Sequence, residues 1–255
     1  MKFLCIGSGS IGKRHMRNLL SIGVDPSDIT AIDPRTDRKE EVLQMGIKNL
    51  YDTFENAFAS NKYDAAIVCS PTNLHISQGI ELANRKINIL MEKPLAHNLE
   101  GINELKNSII KNNVTFLMAY IFRFTPHTNK VLELLKSGVI GKVLYARGEF
   151  SEYLPDWHPY EDYRSFYMAE KSQGGGSILD QSHIMDLIHF LLGGFEKVYA
   201  INHNLSSLEV NSDDFSELII KLKSGAIVSL HTDMFGREHK KQFEIKGEKG
   251  NIFWS

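Results

Sequence analysis

The chain has 255 residues, of which 42% are hydrophobic and 24% are charged, and its formal net charge is −2. These values are ordinary for a globular protein and leave room for one large or two modest domains. The balanced charge argues against a nucleic-acid-binding surface, and no segment reaches the ~18 apolar residues of a membrane span. The N-terminal apolar run is too short for a signal peptide. Cys5 and Cys69 lie in or at the end of predicted buried strands without CxxC spacing, so we expect free thiols in a cytoplasmic protein.

The first residues predict a phosphate-binding turn. Residues 3–6 form a short apolar run typical of a strand, the motif GSGSIG follows at 7–12, and a helix is predicted for 13–20. Gly7 permits the tight turn, Gly9 lets a pyrophosphate approach the backbone, and Gly12 lets the helix pack closely on the strand. The helix N-terminus adds unpaired N–H groups and a partial positive charge.

Asp33 ends the next apolar run and lies about 20 residues after Gly12, the spacing at which a carboxylate binds an adenosine ribose. A carboxylate there repels a 2′-phosphate, so the sequence favours NAD over NADP. Arg35 keeps NADP open, because its guanidinium can stack on adenine or receive a 2′-phosphate.

Strands and helices then alternate as far as residue 120, which predicts a doubly wound parallel sheet over residues 1–122. The strands are predicted at 29–32, 47–51, 64–69, 87–91 and 114–120, and the helices at 36–45, 53–60, 76–85 and 99–111.

Two segments follow strand ends of this sheet and therefore face its ligand-binding crevice. The loop 70–75 follows strand 64–69, and its alternative is a plain connection capped by Thr72 or Asn73. Lys93 follows strand 87–91, where partial desolvation lowers a lysine pKa and lets the side chain donate to a substrate oxygen. The alternative is a surface lysine before a helix-starting proline, Pro94.

The second half of the chain changes to period-two patterns and predicts a separate domain, 123–255, built on an open antiparallel sheet with helices on one face. Turn signals occur at 223–225 and 247–250. Strands are predicted at 142–150, 197–203, 215–222, 226–232, 242–245 and 251–254.

Residues 174–193 carry the acid/base candidate of this half. A glycine-rich entry precedes a predicted helix over 178–192, in which Asp180 and Asp186 lie on either side of His183. A histidine flanked by carboxylates is held in one tautomer and accepts a proton near neutral pH, although a single helix histidine is more often structural. His183 and His189 point about 120° apart on the helix and HExxH is absent, so no metal site is predicted.

Four motifs together resemble the Gfo/Idh/MocA oxidoreductases, which include glucose-fructose oxidoreductase and inositol dehydrogenase. They are GSGSIGKRH at 7–15, CSPTNLH at 69–75, MEKP at 91–94 and GGGSILDQSHIMDLIHFLLG at 174–193. The resemblance extends to the final GEKGNIFW and implies a Rossmann domain, a second domain with a large open sheet, and hydride transfer between NAD(P) and a sugar or polyol. Family members continue for another strand or two and a closing helix, so the second domain is expected to be short at its C-terminal end.

The resemblance also assigns roles to individual residues. Lys93 matches the lysine that contacts the nicotinamide ribose and the substrate hydroxyl, and a cis peptide is implied before Pro94. His183 matches the acid/base histidine and Asp180 the aspartate before it. The usual DxGxH is one residue shorter here, so the contact of Asp180 with substrate stays open. Tyr120 and Arg123 fall in the stretch that leads to the substrate, with Ile121 where the family has Asn.

The segment 156–164 resembles that of the sugar-modifying members of the family. Trp157 and Tyr163 are candidates to stack on a pyranose, and His158 and Arg164 are candidates to bind hydroxyls or phosphate. The alternative is an aromatic loop packed on itself. This segment and the D-x-S-H form favour a nucleotide-linked or surface-polysaccharide sugar as substrate.

The sequence thus predicts an NAD-dependent sugar or polyol dehydrogenase with Lys93, His183 and Asp180 as catalytic residues. The alternative is a non-catalytic NAD-binding regulator on the same fold; the motif around Lys93 and the second half disfavour a methyltransferase. We expect a homodimer or homotetramer through the second sheet, with no nucleic-acid or membrane partner. The predicted cofactor contacts are Gly7, Gly9, Ser10, Ile11, Gly12, Asp33, Arg35, Cys69, Ser70, Pro71, Asn73, His75, Glu92 and Lys93.

Overall fold

A computed structural model describes residues 1–157, 159 and 161–255. The chain forms two compact units, Met1–Ala119 and Tyr120–Ser255. The division lies three residues before the predicted boundary at 122.

The first unit alternates strands and helices. Its elements are β1 (Phe3–Ile6), α1 (Ser10–Ser21), β2 (Ile29–Ile32), α2 (Thr36–Gln44), β3 (Asn49–Tyr51), α3 (Phe54–Ser60), β4 (Ala65–Val68), α4 (His75–Asn84), β5 (Asn88–Met91), α5 (Ile102–Asn112) and β6 (Phe116–Met118). The six strands are parallel and lie in the order β3-β2-β1-β4-β5-β6. The predicted doubly wound parallel sheet is confirmed.

Continuous apolar runs explain why both faces of this sheet are covered. Alternate residues of β1 point to different cores: Leu4 and Ile6 pack in one apolar cluster and Cys5 in another. All three side chains are at most 3% exposed. Strands buried on both faces are typical of parallel sheets.

The described residues of the second unit form a six-stranded sheet and three α-helices. Its elements are α6 (Pro126–Lys136), β7 (Val143–Tyr153), α7 (Ser177–Asp180), α8 (Ser182–Leu192), β8 (Phe195–His203), β9 (Phe215–Leu222), β10 (Ile227–Asp233), β11 (Phe235–Gly247) and β12 (Asn251–Trp254). The strand order is β12-β11-β7-β10-β9-β8.

The predicted antiparallel pairing is wrong at the centre of this sheet, because β7 and β10 are parallel. The two hairpin signals are confirmed, since β9–β10 and β11–β12 are antiparallel neighbours. A turn motif predicts the pairing only of the two strands that it joins directly. The chain between β7 and β10 is a long excursion that returns in the same direction, which period-two patterns do not reveal.

Helices cover one face of the sheet, as predicted. Ile184 and Ile188 of α8 pack against Phe150, Leu230 and Phe243 in a fully buried core. The opposite face is open and carries exposed apolar side chains, among them those of Tyr199, Ile201, Ile219 and Phe253.

The single helix predicted over 178–192 is two helices in the structure. Gln181 lies between α7 and α8 with φ −84° and ψ +21°, outside the helical range. Its buried side-chain amide donates to Glu152 at 2.6 Å. Apolar periodicity continues through the break, so the pattern alone predicts an uninterrupted helix.

Candidate active site

The glycine turn is shaped by close backbone contacts. Gly7 has φ +90°, and a Cβ on it would lie 2.6 Å from the carbonyl oxygen of Cys69. A Cβ on Gly12 would lie 1.9 Å from the carbonyl oxygen of Gly7. Both glycines are therefore required by the packing of the turn itself.

Gly9 is different, because the nearest atom to a Cβ there is a terminal nitrogen of Arg38 at 3.8 Å. Packing within the protein does not require a glycine at this position, so the space beside it is available for a ligand. Gly9 is also the N-cap of α1, with no side-chain cap and no acidic residue in the first turn. Ser10 and Ile11, which begin α1, are exposed. These features fit a dinucleotide pyrophosphate at the helix N-terminus.

The carboxylate of Asp33 stabilises the glycine turn through backbone hydrogen bonds. It is 2% exposed and accepts hydrogen bonds from the N–H groups of Ser8 at 2.6 Å and Arg35 at 2.9 Å. The guanidinium of Arg38 lies 3.7 Å from the same carboxylate. The Arg35 side chain is directed to Asp37, whose pKa it lowers to about 2 by a side-chain hydrogen bond. The position of Arg38 beside both Gly9 and Asp33 was not predicted from the sequence.

The loop after β4 lies directly beside the glycine turn. The backbone N–H of Cys69 donates to the carbonyl of Ile6 at 2.7 Å. The hydroxyl of Ser70 donates to Gln78 at 2.6 Å. Pro71 and Asn73 are exposed, whereas Cys69 is partly buried and desolvation raises its pKa well above the ordinary value.

His75 is a structural clamp in this loop. It is 1% exposed, and its ring nitrogens contact two carbonyl oxygens, that of Pro94 at 2.8 Å and that of Ser70 at 2.9 Å. Burial lowers the pKa of His75, with the two carbonyl contacts acting in the opposite direction. The peptide between Lys93 and Pro94 is cis, as expected. His75 therefore joins the loop after β4 to the loop that carries Lys93.

Glu92, which precedes Lys93, also holds the lysine loop in place. One of its carboxylate oxygens lies 2.8 Å from Nε2 of His15 in α1, and the other accepts the N–H of Lys93 at 3.2 Å. Glu92 is 8% exposed, while the Lys93 side chain is partly exposed. The pair fixes the lysine loop to the helix that begins at the glycine turn, and His15, the last residue of the first motif, had no role predicted.

In the second unit, His183 lies in the first turn of α8 beside two aromatic rings. The ring centroids of Phe122 and Tyr120 are 4.9 and 5.8 Å away, both in edge-to-face geometry. Burial raises the pKa of Tyr120, which keeps its phenol protonated. Such packing restricts the imidazole to few orientations.

The two carboxylates predicted to flank His183 are engaged with other residues. Asp180, at the end of α7, accepts a hydrogen bond from the hydroxyl of Tyr167 at 2.7 Å. Asp186 forms a two-pronged ion pair with Arg123, with Nε of Arg123 at 2.8 Å. Arg123 thus fastens the segment that carries Tyr120 to α8.

The aromatic segment after β7 packs into a small core of its own. Trp157 and Tyr163 lie against a buried cluster that includes Leu154, Phe166 and Met234.

Two polar side chains of this segment, those of Tyr163 and Arg164, bond to other residues of the second unit. Arg164 is exposed and pairs with Asp162 and Glu209. The hydroxyl of Tyr163 accepts the N–H of Glu209 at 3.1 Å. His158 lies outside the described residues.

Two absences concern the described part of the chain. Across residues 1–157, 159 and 161–255, no three His, Cys, Asp or Glu side chains are grouped so as to hold a metal ion. None of the described helices has the length and apolar character of a membrane span.

Two family models match the chain. One, described as the oxidoreductase family NAD-binding Rossmann fold, matches residues 1–120, and the other, the GFO/IDH/MocA C-terminal domain, matches residues 128–253.

Curated relatives agree with these matches. The myo-inositol 2-dehydrogenase of Thermotoga maritima is 29% identical over 99% of this chain and 75% of its own length. The scyllo-inositol 2-dehydrogenase (NAD(+)) of Bacillus subtilis is 26% identical over 97% of this chain and 72% of its own length. Among solved structures, the WlbA dehydrogenase of Bordetella pertussis in complex with NADH and UDP-GlcNAcA has the same fold, with a TM-score of 0.88 and 21% identity over 99% of this chain and 77% of that one.

Because the two family models together match nearly the whole chain, the protein belongs to the Gfo/Idh/MocA family and is an NAD-binding oxidoreductase.

Proposed function

We propose that this protein transfers a hydride between NAD and a hydroxyl-bearing carbon of a sugar or polyol. The observation that carries the proposal is the fixation of the Lys93 loop. Lys93 follows β5 and the glycine turn follows β1, so both lie at the carboxyl end of one parallel sheet. Buried His75 contacts the carbonyl oxygens of Ser70 and Pro94, and buried Glu92 contacts His15 and accepts the N–H of Lys93, so these two side chains hold the lysine loop there.

We assign a separate role to each of the two proposed catalytic residues. His183 accepts the substrate hydroxyl proton in the oxidative direction, and Lys93 stabilises the developing negative charge on oxygen. Bound NAD supplies the hydride acceptor. The inositol dehydrogenases among the relatives support a polyol or sugar substrate.

NAD is favoured over NADP by the buried carboxylate of Asp33. Both of its oxygens accept backbone N–H groups, which fix the carboxylate in place beside the glycine turn. A 2′-phosphate would meet this charge, and Arg38 is already within 3.7 Å of it.

The open face of the second sheet supports a homodimer or homotetramer. Tyr199, Ile201 and Phe253 are each more than half exposed on that face. Apolar side chains gathered on one face commonly mark a self-association surface. Sedimentation analysis of the wild type and of Tyr199→Lys tests this assembly, and an unchanged mass in the variant would argue against it.

The free thiols of Cys5 and Cys69 support a cytoplasmic location. Burial raises the pKa of Cys5 to about 12, so its thiolate is scarce at neutral pH.

The roles are tested by Lys93→Met and His183→Asn. Each variant should lower turnover of the sugar or polyol that the wild type oxidises by about 100-fold or more. NADH affinity, measured by fluorescence titration, should stay within about threefold, because the glycine turn and Asp33 are unchanged and Lys93 is only one of several predicted cofactor contacts. Lys111→Met and His189→Asn, at exposed positions on α5 and α8, are matched controls. Wild-type turnover in both active-site variants would refute the assigned roles.

A further inference from the structure

Strand β11 contains a bulge that presents basic side chains. Its pairing with β7 joins Phe235 to Tyr153 and resumes between Lys240 and Ser151, so residues 236–239 bulge out of the ladder. The carboxylate of Asp233 fixes the bulge by accepting the N–H groups of Phe235 at 3.0 Å and Gly236 at 2.6 Å. Bulges commonly re-aim side chains beside active sites.

Two basic side chains of this segment contact a single buried carboxylate, and a third lies over the neighbouring aromatic ring. Nδ1 of His239 lies 2.9 Å and Nζ of Lys241 lies 3.3 Å from one oxygen of Glu152, which is 8% exposed. The guanidinium of Arg237 lies 3.7 Å from the ring centroid of Tyr153, and no described carboxylate lies within ion-pair distance of it. Two other carboxylates at the bulge, Glu149 and Glu238, pair with Lys240. The remaining group, Arg237, His239 and Lys241, is here called the bulge cluster. Its two permanent cations, Arg237 and Lys241, have one described carboxylate partner between them, Glu152, and therefore a surplus of positive charge.

The bulge cluster is joined to the part of the unit that carries His183. The second oxygen of Glu152 accepts the amide N–H of Gln181 at 2.6 Å. Gln181 follows Asp180 directly and precedes His183 by two residues.

A chain of aromatic contacts gives a second connection. Nζ of Lys241 lies 5.9 Å from the ring centroid of Phe150, which contacts Phe122 at 5.8 Å. Phe122 in turn contacts His183. The surplus charge therefore lies within a few side chains of the proposed acid/base.

From this juxtaposition we propose that the substrate is an anionic sugar whose carboxylate or phosphate binds the bulge cluster. The inference rests on the proposed function and narrows its substrate class. A neutral polyol gains no electrostatic binding energy from the cations of the bulge cluster. A bound anion reduces the repulsion between these cations. Arginine also offers a planar pair of donors that matches the oxygens of a carboxylate or phosphate.

Calorimetric titration of the NADH-saturated protein tests the proposal. The probes are D-glucuronate, D-glucose 6-phosphate and UDP-glucuronate, with D-glucose and myo-inositol as neutral comparators. At least one charged probe should bind about tenfold or more tightly than both neutral ones, and raising the salt concentration should reduce this preference. The three charged probes distinguish a carboxylate from a sugar phosphate and from a diphosphate. Equal affinity for charged and neutral probes, or no binding of any charged probe, would overturn the proposal.

Variants locate the effect. Arg237→Gln and Lys241→Met should each reduce the preference for the charged probe about tenfold, and Glu152→Gln should increase it severalfold. Lys246→Met is the matched control, because this lysine also has a carboxylate neighbour, Glu244, on the same strand. Thermal melting confirms that each variant is folded. A preference that persists in both cation variants contradicts the assignment.

The same experiments separate this inference from the proposed function. If a neutral sugar is oxidised with dependence on His183 and charged probes have no advantage, the function stands and the anion site does not. If the charged probe binds through Arg237 and Lys241 and is never oxidised, the anion site stands and the proposed reaction does not.

Discussion

The loop that carries Lys93 and the helix that carries His183 are stabilised by different kinds of contact. Around Lys93, the buried side chains of His75 and Glu92 bond to backbone groups of short loops at strand ends. Around His183, the contacts join side chains from segments far apart in sequence, such as Phe122 and the Arg123–Asp186 pair. Apart from the His15–Glu92 contact, the first arrangement uses backbone groups, which are present whatever the sequence, so it needs few particular residues. The second depends on several side chains fitting together.

The glycine turn gives the largest expected effect. Gly12→Ala places a Cβ 1.9 Å from the carbonyl of Gly7, which should cost about 4 kcal/mol or more of unfolding free energy. Gly9→Ala meets no atom closer than 3.8 Å, so its stability should change by under about 1 kcal/mol, the usual cost range of a glycine replacement. Urea unfolding of Gly12→Ala and Gly9→Ala measures the difference in stability, and NAD titration compares the cofactor affinity of the two variants. Equal stability of the two variants would show that the turn can relax around Gly12.

Removal of the His75 clamp should have the next largest effect. His75→Leu leaves the carbonyls of Ser70 and Pro94 without their partner, which should cost about 2–4 kcal/mol and lower turnover through the Lys93 loop. His97→Leu, at an exposed position after Lys93, is the control.

The clamp also has a predicted pH dependence. Burial lowers the pKa of His75 below its ordinary 6.5, so the unfolded chain takes up the proton first. The stability that neutral His75 provides is present above about pH 6.5 and is lost as the pH falls below that value. Wild-type stability should therefore decline more than that of His75→Leu between pH 7 and pH 5, and parallel profiles would contradict this.

The ion pair of the second unit should give a moderate effect. Arg123→Met leaves the carboxylate of Asp186 in a largely buried position without its two-pronged partner. Because Arg123 is itself 38% exposed, solvent reduces the loss to about 1–2 kcal/mol. A double-mutant cycle with Asp186→Asn measures the coupling between them, and additive effects would show that the pair contributes nothing.

The smallest effect is expected on the open sheet face. His231 lies between Asp233 at 2.8 Å and Glu217 at 3.0 Å, and the hydrogen bond to Asp233 is the main cause of its raised pKa. Its contribution to stability is therefore present below about pH 6.5 and is lost as the pH rises through the raised value. The gap between wild type and His231→Gln should be about 1 kcal/mol or less at pH 6 and smaller at pH 9. If the stability difference between wild type and His231→Gln instead grows with pH, the predicted raised pKa of His231 is wrong.

The same contrast explains what the sequence could predict. Gly7 and Gly12 act within one strand–turn–helix, and Asp33 follows the next strand. Because this geometry is local, the spacing of these residues was enough to predict the parallel sheet and its NAD-binding turn. Arg38 and His15 were missed because their roles depend on which helix face meets which loop.

In the second unit, tertiary contacts override local patterns. The break at Gln181 depends on Glu152, which lies in a distant strand. The bulge of β11 was missed because FGREHKK at 235–241 has no alternation of apolar and polar residues, and the strand was predicted only from 242. Hairpin spacing correctly identified neighbouring strands, but it carries no information on the long return of β10 to β7.

The carboxylate of Asp33 has a consequence for amide hydrogen exchange. Ser8 and Arg35 lie in loops, yet their N–H groups are bonded to a side chain that is 2% exposed. Neither amide can exchange with solvent deuterium until that carboxylate is displaced, and its displacement frees both at once. The amides of Ser8 and Arg35 should therefore exchange slowly and at the same rate, as amides paired in a β-sheet do, although no β-sheet pairing joins these two loops.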